Sequence, residues 1–165
     1  TGGAEAGRRL VEHPRTHAVA FTGSVPAAQA VAESAGRRFK PVLIEASGND
    51  PFIVMPSAPV EVAAKGAAFA AFLNCGQVCT SAERFYVHES VHDRFVDALA
   101  REARALRVGS GLDRIDIGPL ASSRERDRVE RIVARAVEQG RAWCVAANGP
   151  TGRPGAGSTS RPCSR

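Results

Sequence analysis

Two cysteines, Cys75 and Cys79, stand four residues apart in NCGQVCTSAERF, which runs from Asn74 to Phe85. Thiols placed this way can ligate a metal, close a disulfide, or supply one nucleophile beside an inert neighbour. A zinc site needs four convergent ligands. No His lies within eight residues on the N-terminal side of either cysteine, and His88 falls on an expected strand. With Cys144 and Cys163 the chain holds four cysteines, which form no paired CxxC and match no small disulfide scaffold. Free cysteines are most often small buried hydrophobes, and Cys75 is read as one. Cys79 follows Gly76, which permits a tight backbone, and precedes the hydroxyls of Thr80 and Ser81. Taken alone it carries both readings, buried filler or nucleophile.

Two other features could join a thiol in one site. Gly23-Ser24 opens an expected helix, where free backbone N–H groups and the positive end of the helix dipole suit a phosphate. Ser24 would equally serve as a plain helix cap. Glu45 follows the apolar run Val42 to Ile44 and precedes Ala46-Ser47-Gly48. A carboxylate at the C-terminal end of a buried strand sits where ligands gather in α/β sheets. Half burial there would raise its pKa toward that of a useful general base, though a surface acid at a strand end has the same spacing.

The elements that must position these groups alternate. AEAGRRLVEHP (Ala4 to Pro14) reads as a short helix stopped by Pro14, and HAVAFTG as a strand ending at Gly23. The next helix tolerates Pro26 in its first turn and closes at Gly36. KPVLIEASG supplies a second strand, apolar without interruption as buried parallel strands tend to be. PFIVM supplies a third, entered through Asn49-Asp50-Pro51. From Val60 to Phe72 apolar residues recur at helical spacing, with alanines that permit close packing. RFYVHE is a fourth strand, and Ser90 is expected to cap the helix after it, with Phe95, Leu99 and Leu106 on one stripe. IGPL (117–120) reads as a turn. A last helix directs Val129, Ile132, Val133, Ala136 and Val137 inward and stops at Gly140. Strands alternating with helices argue an α/β fold with a largely parallel sheet.

Composition narrows the function classes. The chain has 165 residues, is 44% hydrophobic, and carries a formal charge of +5. Residues 1–140 hold 18 of the 22 basic side chains and all 17 acidic ones, so their net charge is only +1. The remaining positives, Arg141, Arg153, Arg161 and Arg165, fall in an acid-free end. With aromatic content at 5%, a nucleic-acid surface of clustered positives and stacking rings is not expected. No apolar run reaches the ~20 residues of a membrane span, and no signal segment is evident, so a cytoplasmic setting is expected.

In combination and in this order, FTGS (21–24), KPVLIEASGNDPFIV (40–54), NCGQVCTSAERFYV (74–87) and IGPL (117–120) resemble the aldehyde dehydrogenase superfamily. The interval of 34 positions from Glu45 to Cys79 is the one usual in that family. The resemblance covers about residues 1–141. It implies an α/β fragment of the aldehyde dehydrogenase fold: residues 1–46 as the end of a Rossmann-like cofactor domain, and 47–141 as the start of a catalytic domain. It implies that Cys79 attacks an aldehyde to give a thiohemiacetal, that hydride passes to NAD or NADP, and that Glu45 activates water to hydrolyse the thioester. Gly23, Ser24, Glu45, Ala46 and Cys79 are the cofactor contacts it implies, with Ser24 on the pyrophosphate and the Cys79 N–H as half of an oxyanion hole. No metal is implied. The sequence departs from the family pattern at Ala28, often a glycine, and at Ala46-Ser47, commonly Leu-Gly.

The family resemblance also sets expectations for the whole molecule. Relatives are considerably longer, with an oxyanion Asn upstream and a ribose-binding acid and oligomerisation arm downstream. The isolated chain is therefore expected to be inactive, and the parent to be a homodimer or homotetramer acting on a small aldehyde. The segment from Asn74 to Val87 looks most like relatives that act on small hydroxy- or semialdehydes. The alternatives are a non-catalytic remnant and a CoA-acylating relative that resolves the thioester with CoA. From Gly149 onward the chain lacks Leu, Ile, Val and Phe, so residues 142–165 are expected to be disordered. An abrupt change of this kind, in a chain with 20 Arg and 2 Lys, is what a frame-shifted reading of GC-rich DNA would produce.

Overall fold

A computed structural model describes residues 2–141, and the expectations for 142–165, including Cys144 and Cys163, lie outside the described residues. The chain divides into two compact units, one from Thr1 to Gly48 and one from Asn49 onward.

The first unit runs α1 (Ala4–Glu12), β1 (Val19–Thr22), α2 (Val25–Gly36) and β2 (Val42–Glu45). β1 and β2 pair in parallel, from Val19 opposite Val42 to Thr22 opposite Glu45. α2 packs on this pair and α1 packs on α2. α1 ends before Pro14, as expected, and its last carbonyls are satisfied from a distance. Lys40 Nζ donates to the carbonyls of Val11 (2.6 Å) and His13 (2.7 Å), placing a cation at the negative end of the helix. β2 differs from expectation. Val42 is 40% exposed and Leu43 64%, because α2 covers one side of a two-stranded pair whereas a continuous apolar run anticipates cover on both. α2 closes through Phe39, whose φ of 51° occupies the left-handed position that glycine usually takes. The Lys40 N–H then donates back to the Ala35 carbonyl at 3.1 Å.

The second unit runs β3 (Asp50–Val54), α3 (Val60–Phe72), a 3-10 turn (Leu73–Gly76), β4 (Ala82–Val87), α4 (Glu89–Ala105) and α5 (Ser123–Glu138). β3 and β4 are parallel, with Phe52 opposite Phe85 and Val54 opposite Val87. Alternation turns these four toward α3 and α4 and leaves Ile53 and Tyr86 exposed on the far face. The core is Val54, Val60, Ala64, Ala67, Val91, Phe95 and Ala98, with Phe52, Phe85 and Leu99 packed against it. Fully buried Ala64 and Ala67 let α3 lie close to α4. The rings of Phe52, Phe85 and Phe95 form a triangle with centroid distances of 5.5, 6.5 and 6.3 Å, within the range where aromatic pairs attract.

Two helix expectations are corrected here. Ser90 is not the cap of α4. The helix begins two residues earlier, at Glu89, and His88 Nδ1 accepts from the Ser90 N–H at 3.2 Å. A ring nitrogen one residue ahead of the helix reaches the same orphan donor that a serine cap would. The apolar stripe of α5 is not buried: Val129, Ile132 and Val137 are 38–54% exposed, and no α5 residue is buried. Periodicity shows which face is apolar, whereas burial also needs an element to cover it. The ends of α5 do follow the sequence. Ser122 Oγ accepts from the Glu125 N–H at 3.3 Å. Gly140, at φ 76°, closes the helix, with its N–H donating to Val137 and the Arg141 N–H to Ala136. No described helix is long and apolar enough to cross a membrane.

Candidate active site

Four of the expected site residues gather at one edge of the first unit. Thr22 opposite Glu45 is the last pair of the β1–β2 ladder, and the Gly23 N–H donates to the Glu45 carbonyl at 3.1 Å. That bond ties the start of the β1–α2 turn to the end of β2, so Gly23, Ser24, Glu45 and Ala46 share the C-terminal edge of the strands. A Cβ on Gly23 would lie 2.7 Å from Cζ of Phe21, so the turn leaves little room for a side chain. Ser24 occupies the N-cap position of α2 with extended backbone, but its hydroxyl makes no cap bond. The positive end of a twelve-residue helix, an uncommitted hydroxyl and a small residue at the turn fit an anionic phosphate. Ala28 is 5% exposed, so the methyl that replaces the frequent glycine is buried.

Glu45 is exposed rather than half buried. As the last residue of a strand with one neighbour, it has no second layer over it within its unit. A groove of about 690 Å³ in the same unit is lined by Gly7, Val11, Phe21, Ala27, Ala30 and Val31 among others, but by none of the four candidates.

Cys79 belongs to the second unit, in the turn that leads into β4, and is exposed. The loop before it has an unusual backbone. Asn74, Cys75 and Gly76 have φ of 52°, 61° and 72°, three consecutive residues in the left-handed region. For Asn74 and Cys75, which carry a Cβ, this costs about 1–2 kcal/mol each. Such strain persists only where the surroundings over-determine it. Here the Gln77 N–H and Nε2 both donate to the Asn74 carbonyl, at 3.1 and 3.0 Å, and Asn74 Nδ2 donates to the Gln77 carbonyl at 3.3 Å.

The two thiols sit in different environments. Cys75 is half buried, its Sγ donates to the Gly118 carbonyl at 2.9 Å, and burial pushes its thiol up from the ordinary value. A protonated, hydrogen-bonded sulfur is a poor nucleophile. Cys79 is the exposed one. Ser81, two residues on, is 4% exposed, and its hydroxyl has no partner. Among the described residues no group of three or more His, Cys, Asp or Glu could hold a metal.

Sequence reasoning quoted the stretches that hold Asn74, Gln77 and Gly118 but assigned no role to these residues or to Ala121. The available signal was a pair of amide side chains three residues apart, Asn74 and Gln77, bracketing a glycine in a loop with little else to hold its shape.

The sequence matches the model of the Aldehyde dehydrogenase family over residues 1–163, past the compositional change near the end. It is 45% identical over 133 residues to the NADP(+) succinate-semialdehyde dehydrogenase of Mycobacterium avium, covering 80% of this chain and 28% of that protein. Among solved structures it is similar to 3,6-anhydro-L-galactose dehydrogenase in complex with NAP, with TM-score 0.81 and 41% identity over 85% of this chain and 30% of that one. Lactaldehyde dehydrogenase from Escherichia coli is similar at TM-score 0.81 and 38% identity, over 84% and 30%. The chain thus spans about 30% of the length of the relatives it matches. With the family model matched along nearly the whole sequence and relatives 38–45% identical over four fifths or more of it, the chain belongs to the aldehyde dehydrogenase family.

Proposed function

We propose that this chain carries the nucleophile, the general base and part of the dinucleotide site of an enzyme that oxidises an aldehyde to a carboxylic acid. The observation that carries the proposal is the contrast between the two thiols: Cys79 exposed at a turn, Cys75 half buried and donating its proton to a carbonyl. Residues 1–46 are assigned to the end of the cofactor domain and 47–141 to the start of the catalytic domain.

In this scheme Cys79 Sγ, as thiolate, bonds to the aldehyde carbon, and the carbonyl π pair moves to oxygen. The Cys79 N–H donates to that oxygen as charge develops on it. When bound, NAD or NADP would supply the acceptor for the hydride lost from that carbon as the oxygen pair re-forms the carbonyl, which leaves a thioester on Cys79. Gly23, Ser24 and the first turn of α2 would hold its pyrophosphate, and Glu45 and Ala46 would line the approach to it. Glu45 then takes a proton from water. The water oxygen bonds to the acyl carbon of the Cys79 thioester, the carbon–sulfur bond breaks, and the thiolate is regenerated with release of the acid. A thiolate suits both roles, because it attacks readily and leaves readily.

The substrate class proposed is a small semialdehyde or hydroxyaldehyde. The names of the succinate-semialdehyde and lactaldehyde dehydrogenases among the relatives support it. The 165 residues alone, spanning about 30% of the relatives' length, are proposed not to turn over.

The test is acylation by an activated acetate ester, followed by peptide mass spectrometry. The acetyl group is expected on the peptide at Cys79, with none at Cys75. Glu45→Gln is expected to prolong its lifetime in the full-length enzyme. Acetylation of Cys75 in preference to Cys79, or no acetylation faster than that of a free thiol, would overturn the assignment.

A further inference from the structure

The loop that carries Cys79 is fastened at two points to the segment ahead of α5, a connection that the scheme above does not use. Cys75 Sγ donates to the Gly118 carbonyl, and the Ala121 N–H donates to Gln77 Oε1, each at 2.9 Å. The Gln77 amide is engaged at both ends, since its Nε2 donates to the Asn74 carbonyl at 3.0 Å. These partners fix its chemistry. Ala121 presents a donor and needs an acceptor, while the Asn74 carbonyl needs a donor, so an amide satisfies both and a carboxylate only one.

The far side of the fastening is itself braced. Val108 and Ile117 form a parallel bridge, and the Gly109 N–H donates to the Ile117 carbonyl at 3.1 Å. The Arg107 guanidinium grips Asp116 with bonds of 2.9 and 3.1 Å, and the Arg107 N–H donates to the same carboxylate at 2.9 Å. Ala121 immediately precedes Ser122, the cap of α5. A left-handed backbone run at 74–76, which would not hold its shape unaided, is thus tied to an anchored strap.

We propose that Cys75 and Gln77 are positioning residues, forming a clasp onto Gly118 and Ala121 that sets the backbone presenting Cys79. The clasp is a property of the loop as such. Its consequence for catalysis rests on the assignment of Cys79 as nucleophile.

The experiment uses the full 165-residue chain and two readouts: amide hydrogen exchange over residues 118–122, and the rate of Cys79 alkylation by iodoacetamide followed by peptide mass spectrometry. Gln77→Ala is expected to speed exchange at Ala121 about tenfold, the loss of one hydrogen bond, and to change Cys79 alkylation several-fold. Gln77→Glu is expected to retain slow exchange at Ala121 while still altering alkylation. Cys75→Ser, which keeps a donor toward Gly118, is expected to behave as the parent, whereas Cys75→Ala is not. That rescue decides the matter should Gln77→Ala fail to fold. Unchanged alkylation in Gln77→Ala and Cys75→Ala would overturn the proposal, and so would faster exchange without any change at Cys79. Failure of the activated ester to acylate Cys79 would instead count against the nucleophile assignment and leave these two readouts to decide the clasp.

Discussion

Alanine at three glycines reads the backbone of the Cys79 loop against two internal controls. At Gly76 φ is +72°, and a Cβ would lie 3.2 Å from the carbonyl oxygen of Ala71, a backbone atom with little freedom to retreat. A Cβ in the left-handed region costs about 1–2 kcal/mol, and crowding against a carbonyl adds to that. Against these stands a gain of about 0.4–1 kcal/mol from a stiffer unfolded chain. The net expectation for Gly76→Ala is a loss of about 2 kcal/mol. Gly140 has nearly the same φ, +76°, but nothing within 4 Å of a Cβ, so Gly140→Ala is expected to lose about 1 kcal/mol from conformation alone. Gly66 is exposed inside α3, again with open space around a Cβ, and Gly66→Ala is expected to gain about 0.8 kcal/mol. Urea unfolding followed by circular dichroism gives the ranking directly. With a slope of about 1–3 kcal/mol per molar, the Gly76 variant should drop in midpoint by roughly 1 M and the Gly66 variant should rise. Cys79 alkylation should change in Gly76→Ala and stay constant in Gly140→Ala. Equal midpoints for the Gly76 and Gly140 variants would refute the steric account of the loop, and an unperturbed Cys79 would disconnect the loop from the thiol.

Three other outcomes follow from the same geometry. Phe95→Ala removes the ring that touches both Phe52 and Phe85 at the centre of the second unit; it should cost about 3–5 kcal/mol, against a typical total of 5–15, and near-ultraviolet circular dichroism should lose its aromatic signal. Phe39→Gly relieves a left-handed φ at a side chain that is 96% exposed, so a gain of about 0.5–1 kcal/mol in urea unfolding is expected. Asp116 is held down from the ordinary 3.8 to about 2, first by the side-chain hydrogen bonds of Arg107 and then by its backbone N–H. Because the folded chain binds that proton less readily than the unfolded one, the pair stabilises fully above 3.8 and its contribution is lost as pH falls through about 2. The difference in urea midpoint between the parent and Asp116→Asn should therefore be present near neutrality and vanish at the acid end, and a difference constant with pH would contradict the pairing.

Local rules made most of the fold legible. Pro14, Pro26, Gly36 and Gly140 mark helix ends or first turns where they were expected, because each acts through its own backbone geometry. Val60 to Phe72 is a helix with the anticipated limits, since its periodicity is long and continuous. What failed depended on neighbours. The apolar run at 42–44 and the stripe of α5 were correctly read as apolar, but their burial requires covering elements that no local pattern encodes. At Glu45 the sequence left burial and exposure both open, and the structure shows exposure. Ser90 failed differently: serine is a stronger capping signal than histidine, yet the helix starts ahead of it and its own N–H is capped by the ring of His88.

At the candidate site, the sequence nominated residues but not their supports. Cys79, Glu45 and the Gly23-Ser24 turn announce themselves by type and by position relative to strands, which is information a sequence carries. Gln77 and Gly118 are linked only through contacts spanning 43 and 44 positions, between Cys75 and Gly118 and between Gln77 and Ala121. Nothing in the amide or the turn signals those partners in advance. This division bears on why one thiol differs from the other. Both cysteines lie in one polar stretch, and sequence could rank Cys75 as the buried one without showing what buries it. What separates them is that the backbone at 74–76 is wound the strained way, which aims Cys75 inward onto a carbonyl and leaves Cys79 at the following turn with its sulfur exposed. The strain and the second cysteine are therefore parts of the arrangement that, among the described residues, leaves one of two thiols exposed, and substitution of either should register first at Cys79.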